Sequence, residues 1–181
     1  GMMLHTGYLF GQDKNAPIAA DGRSCSPQGA IWGLGGSIRV HLWKYLRTGF
    51  EGGVSNMNSG WTDCNEILQK GSYVRMGYGG VLADACWRLE KIWPYIGGTI
   101  GGGTIKGLYI LEGNQEDWIE ETHSVFHKNS FFYVTPYVGF DYCMTKRIHL
   151  TFRFDWMLAF HKNELVMPTG PRLYFGFMFT H

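Results

Sequence analysis

The segment HLTFRFDWMLAF, residues 149–160, constrains the fold more than any other stretch of the chain. Its alternate positions form two sets, one of Leu150, Phe152, Phe154, Trp156, Leu158 and Phe160, the other of His149, Thr151, Arg153, Asp155, Met157 and Ala159. A period of two is the signature of a β-strand, whose side chains point alternately to opposite faces. The same separation recurs in five more segments. The apolar faces read Ala30, Trp32, Leu34, Gly36, Ile38, Val40, Leu42; then Leu46, Thr48, Phe50, Gly52, Val54; then Val74, Met76, Tyr78, Gly80, Leu82. They continue with Phe132, Val134, Pro136, Val138, Phe140, Tyr142 and end with Leu173, Phe175, Phe177, Phe179. The opposite faces carry Arg39, Arg47, Glu51, Arg75, Asp141, Arg153, Asp155 and Arg172, joined by His41 and His149.

Eight strands are predicted, near 2–11, 30–43, 46–57, 71–87, 92–110, 131–143, 147–160 and 171–181, within a single domain spanning 1–181. Support for the first strand is limited to parity and Met2, Leu4, Thr6, Tyr8 and Phe10. Pro136 suits a strand start, which would move the sixth strand's beginning to about Thr135. In the fifth strand Lys106 shares a face with Ile96, Ile100, Leu108 and Ile110, which implies a bulge or a membrane boundary near Thr104. Tight connections at Lys44-Tyr45, 88–91 and 144–146 alternate with long ones at 12–29, 58–70, 111–130 and 161–170. All short turns therefore fall at one end of an antiparallel sheet and all long loops at the other, the asymmetry of a spanning barrel.

Two architectures fit the two-faced strands. A soluble calycin-like carrier would turn the apolar face inward to hold a lipid or other apolar ligand. A membrane barrel would turn it outward and line a narrow lumen with the charges. Glycine, 26 of 181 residues, favours the second. Gly33, Gly35, Gly49, Gly53, Gly77, Gly79, Gly97, Gly101, Gly103, Gly139 and Gly176 are assigned to the charged face. There they would make room for arginines in an eight-stranded interior only just wide enough for side chains. Arginines and acids in that interior must pair, so an ion-pair network is expected. Trp43, Tyr45, Trp87, Trp93, Tyr95 and Tyr142 near the short turns suit an interfacial aromatic girdle.

With PYIGGTIGGG, PYVGFDYCMTKRIHLTFRFDW and RLYFGFMF in view, the chain over about 30–181 resembles the OmpA-like and OmpX-like group of small eight-stranded outer-membrane β-barrels. The resemblance implies an all-β, up-and-down transmembrane barrel in a bacterial outer membrane, in contact with lipid. It also implies a terminal strand read by the outer-membrane insertion machinery. Phe177 and Phe179 look like that signal, although Thr180 and His181 follow them, whereas the family usually ends on an aromatic residue. Gly1 before two methionines reads as a cloning remnant, and an export signal is expected to have been removed.

Other classes find less support. Charged residues amount to 17%, against roughly 25% in ordinary soluble domains, and the net charge of +1 without a basic run gives no case for nucleic acid. No run of 18 apolar residues offers a transmembrane helix. The segment EETHSVFHKNS is the one stretch suggestive of catalysis: in a helical turn His123 and His127 would share a face, with Ser124 beside them and Glu120 or Glu121 near. Outer-membrane barrels that deacylate lipid A use Ser and His, so a lipid-modifying enzyme is a third reading. A polar surface loop is the preferred one, with no metal or cofactor. Trp61, Asp63, Glu66, Glu116, Asp117 and Trp118 in the long loops are candidates for a surface ligand. Cys25 and Cys64 fall in neighbouring long loops and are expected to pair as a disulfide, whereas Cys86 and Cys143 are expected to be free thiols. The leading expectation is a non-enzymatic barrel that anchors its loops, with a structural, adhesion or envelope-integrity role.

Overall fold

A computed structural model of the chain describes residues 1–10, 28–58, 73–110, 124–160 and 169–179. Eight strands run Met2–Leu9 (β1), Gly29–His41 (β2), Leu46–Asn58 (β3), Tyr73–Cys86 (β4), Ile92–Ile110 (β5), Ser124–Cys143 (β6), Ile148–Phe160 (β7) and Gly170–Phe179 (β8). Each pairs antiparallel with its neighbours in sequence, and β1 pairs with β8, so the sheet closes into an up-and-down barrel. Closure leaves no unpaired sheet edge. Among the described residues there is no helix long and apolar enough to cross a membrane.

Three short turns close one end. Leu42 and Trp43 donate to the carbonyl of Leu46, and Leu89 and Ile92 exchange amide–carbonyl bonds across Glu90-Lys91. Glu90 adopts φ of 30°, the left-handed region that a two-residue hairpin turn requires. In the third turn Thr145 Oγ1 accepts from the amides of Arg147 and Ile148.

The apolar set points outward and the polar set inward on β1, β2, β3, β6, β7 and β8. Ile38 and Phe50 are 70% and 66% exposed, whereas Arg153 is 2% and Arg172 0% exposed. A soluble carrier would need this apolar face inside, and it lies outside. On β1, Met3, His5 and Leu9 are buried beneath exposed Met2, Leu4 and Tyr8, as parity demands, and Phe10 just beyond the strand is exposed too.

The fourth strand is turned over relative to the sequence reading. Val74, Met76, Tyr78 and Leu82 are buried inside, and Arg75, Gly77, Gly79, Val81 and Ala83 are on the outer wall. The inversion follows from the lumen being apolar at its long-connection end. There Val74 and Met76 pack with Leu9, Ile31, Met57, Ile105, Phe131, Tyr133 and Met157. Gly80, assigned to the apolar face, consequently faces the lumen in register with Glu51 and Gly101.

Other expectations change in detail. The sixth strand starts at Ser124 rather than near 131 or Thr135. Pro136 lies mid-strand; pairing with β7 skips positions 135 and 136, whereas pairing with β5 continues through Gly98↔Pro136. A missing amide costs hydrogen bonds on one side only. No bulge interrupts β5, whose register with both neighbours is continuous past Thr104. Trp93 and Tyr95 turn inward, Tyr95 wholly buried, so only Trp43, Tyr45, Trp87 and Tyr142 of the expected girdle are on the outer surface.

A spin label on Ala83→Cys or Val81→Cys, in protein refolded into bilayers, should collide readily with oxygen dissolved among acyl chains. Protection at both sites, with exposure at position 82, would restore the opposite phase of β4.

Candidate functional site

The lumen is filled in layers, and its charged layers are the candidate site. Alternation on β2, β3, β4, β6, β7 and β8 aims Arg39, Arg47, Glu51, Asp84, Asp141, Arg153, Asp155 and Arg172 at the barrel axis. Four guanidinium groups thus face four carboxylates. Small residues create the space. A Cβ on Gly97 would run into the backbone and Cβ of Asp84, and one on Gly139 would strike the Tyr95 ring.

Near the short-turn end, Arg47 Nε donates to Asp84 Oδ1 at 2.5 Å and its Nη1 to Asp141 Oδ2 at 2.8 Å. Tyr137 OH donates to Asp84 Oδ2 at 3.1 Å, and Arg39 Nη1 lies 3.7 Å from the same oxygen. Arg39 and Arg47 also stand over the Tyr95 ring, at 4.7 and 4.8 Å from its centroid. Below this layer Trp93 packs edge-on against His149, with centroids 4.7 Å apart.

One layer up, Arg153 engages Glu51 with both terminal nitrogens, Nη2 donating to Oε1 at 3.1 Å, and also donates to Asp155 Oδ2 at 2.6 Å. Arg172 forks onto Asp155, Nε to Oδ1 at 2.8 Å and Nη2 to Oδ2 at 3.0 Å. Bidentate pairing of this kind combines charge with fixed geometry. Tyr78 and Tyr174 share a 2.8 Å hydrogen bond beneath Arg172, and His5 Nε2 meets Ser55 Oγ at 2.7 Å. Above lies an apolar layer of Met57, Met76, Phe131, Tyr133 and Met157.

Seven of the eight sequence-chosen charges therefore converge inside. Arg75 does not: it points outward, with Nε donating to Asn56 Oδ1 at 2.9 Å. Asp84 was missed. Its signal was a charge in phase with Leu82, on the face of the fourth strand that had been assigned to the outside.

Of the catalytic candidates, Ser124 and His127 lie on extended backbone, since β6 begins at Ser124, and not on a helical turn; His123, Glu120 and Glu121 lie outside the described residues. Among the described residues no cluster of His, Cys, Asp or Glu is arranged to hold a metal. Cys25 and Cys64 also lie outside the described residues, and Cys86 and Cys143 are free thiols.

Asp155 serves two arginines, so Asp155→Ala should cost about 3–5 kcal/mol of folding stability by stranding buried positive charge. Urea-driven unfolding in detergent micelles measures it. Arg172→Met combined with Asp155→Leu should recover much of the loss, whereas additive losses would argue against a coupled pair.

No family model and no curated protein matches the chain. Among solved structures it is similar to Neisserial surface protein A (NspA), at 13% identity and a TM-score of 0.58 over 99% of this chain and 96% of that one. It is also similar to Ail, the attachment invasion locus protein of Yersinia pestis, at 10% identity and TM-score 0.49, covering 98% and 95% of the two chains. The N-terminal barrel domain of Pseudomonas aeruginosa OprF matches at 8% identity and TM-score 0.40, covering 96% of each chain. NspA, at a TM-score of 0.58, carries the comparison, and together with the closed eight-strand topology it gives this chain the fold of the small eight-stranded outer-membrane β-barrels.

Proposed function

We propose that the chain is a bacterial outer-membrane protein whose barrel acts as a sealed, non-enzymatic anchor for the segments that join its strands at the long-connection end. One observation carries this reading. The outward positions of the described strands bear no charge from the short turns up to Arg75, Lys106 and Lys128, and they are occupied mainly by large apolar side chains. Water would leave that surface unsatisfied all the way round, whereas acyl chains match it.

The filled lumen supports a wall rather than a pore. Arg153, Arg172, Tyr133 and Met157 are all but fully buried, so ions have little to pass through. The anchored segments, read from the sequence as 12–29, 58–70, 111–130 and 161–170 and narrowed by the strand bounds to the stretches between β1 and β2, β3 and β4, β5 and β6, and β7 and β8, are the proposed contacts for adhesion or for holding the envelope together. The outward stripe of β8, Leu173, Phe175, Phe177 and Phe179, is the proposed surface for the insertion machinery.

Cell fractionation should place the protein with outer-membrane markers, and protein reconstituted in a planar bilayer should pass no steady current. A stable, voltage-independent open conductance would overturn the sealed reading.

A further inference from the structure

Three cations sit side by side on the outer wall. Arg75 of β4 is the register partner of Lys106 of β5, which is the partner of Lys128 of β6. All three are exposed, and adjacent strands are only about 4.8 Å apart. Like charges directly opposed across strands are destabilising unless something offsets them. Among the described residues no carboxylate shares this wall. Glu51, Asp84, Asp141 and Asp155 are inside, and Glu90 is in a turn at the far end. The described partners of Arg75 are neutral, Asn56 Oδ1 and the Tyr73 ring, whose centroid is 5.8 Å away.

The height of the row matters. Lys106 follows Ile92, the first residue of β5, by fourteen positions. At about 3.3 Å per residue and a tilt of about 40°, that is roughly 35 Å above the short-turn end, and Arg75 is at roughly 28 Å by the same reckoning. A barrel's apolar band is about 25 Å tall, so the row begins where acyl chains give way to headgroups.

Beside the row the wall is hollowed. A recess of about 630 Å³ is floored by Gly77, Gly102 and Thr104 and rimmed by the three cations. These outward glycines differ from those of the lumen. A Cβ on Gly77 would meet nothing within 4 Å, and one on Gly102 would come no nearer than 3.5 Å to the Phe131 carbonyl oxygen. Packing within the barrel does not require them to be glycine, and glycine in a strand is otherwise a weakness that marks close approach by another group.

We infer that this recess seats one membrane lipid with an anionic phosphate headgroup, its phosphate oxygens spanning Arg75, Lys106 and Lys128 and the start of an acyl chain lying on the glycine floor. The inference rests on the membrane orientation proposed above. The chemistry is ionic and reversible, and no bond is made or broken.

Native mass spectrometry of the protein in a non-ionic detergent tests it, with phosphatidylglycerol, phosphatidylcholine of the same chains and inorganic phosphate as probes. Phosphatidylglycerol should be retained at least about tenfold better than phosphatidylcholine, and phosphate alone should not be retained. The R75Q/K106Q/K128Q variant should lose that preference, and Gly77→Leu should weaken lipid retention with the charges intact. Both variants should keep the cold-gel mobility shift of a folded barrel. Equal retention of the two lipids, or an unchanged preference in the triple variant, would overturn the proposal. Retention of phosphate alone would reassign the row to a free anion, and dimers in place of lipid adducts would reassign the recess to a second copy; either result overturns the lipid. Folding in plain buffer without detergent would instead overturn the membrane reading itself, a failure visible before any lipid is added.

Discussion

The pairing of charges inside an eight-stranded lumen is the constraint on which the rest of the structure depends. A barrel of this size has room for side chains and little else. Arginines placed there must meet carboxylates within hydrogen-bond reach, because an unpaired buried charge costs several kcal/mol. Asp155 between Arg153 and Arg172, and Asp84 and Asp141 on Arg47, meet that demand, whereas Arg39 stands 3.7 Å from Asp84, beyond hydrogen-bond reach, and over the Tyr95 ring. The tyrosines Tyr78, Tyr95, Tyr137 and Tyr174 pack their rings against the guanidinium groups. Inward glycines then become a steric requirement. Strand alternation sends every other residue outward, and an apolar outer wall is the counterpart of a charged interior.

Much of this was legible from alternation alone. The strand count, the closure parity, the short-turn end and the inward course of Arg47, Glu51, Asp141, Arg153, Asp155 and Arg172 follow from a period of two combined with the positions of charges. The fourth strand was misread because both of its faces lack a clear polar signature. Val74, Met76, Tyr78 and Leu82 are as apolar as any lipid-facing set, yet they fill the lumen, while the outer set is Arg75 with glycine, alanine and valine. When a lumen contains an apolar layer, hydrophobicity no longer distinguishes inside from outside. Asp84 was the discriminating residue, since a carboxylate is far costlier against acyl chains than inside a paired network. The length of β6 was hidden by Pro136 and by a polar run from Ser124 to Ser130 that resembles a loop but pairs with β5.

The outer wall is asymmetric in a way that face-by-face reading does not reveal, because it depends on register between strands. Around β6, β7 and β8 it is aromatic, with Phe140, Phe152, Phe175 and Phe177 in successive ring contact. Around β2 to β5, Gly36, Gly52, Gly79 and Gly102 lie in one hydrogen-bonded row, with the three cations two rows above on β4 to β6. Glycines that appear equivalent in sequence thus fall into two groups, one clearing space for interior side chains and the other leaving the outer wall bare.

The central claim is that the apolar face meets lipid, and the solvent requirement for folding tests it most directly. Denatured protein diluted into detergent micelles should give a monodisperse β-sheet monomer that migrates faster unheated than boiled on a denaturing gel, and dilution into plain buffer should give aggregate. A monomeric, folded β-barrel in plain buffer would contradict the account.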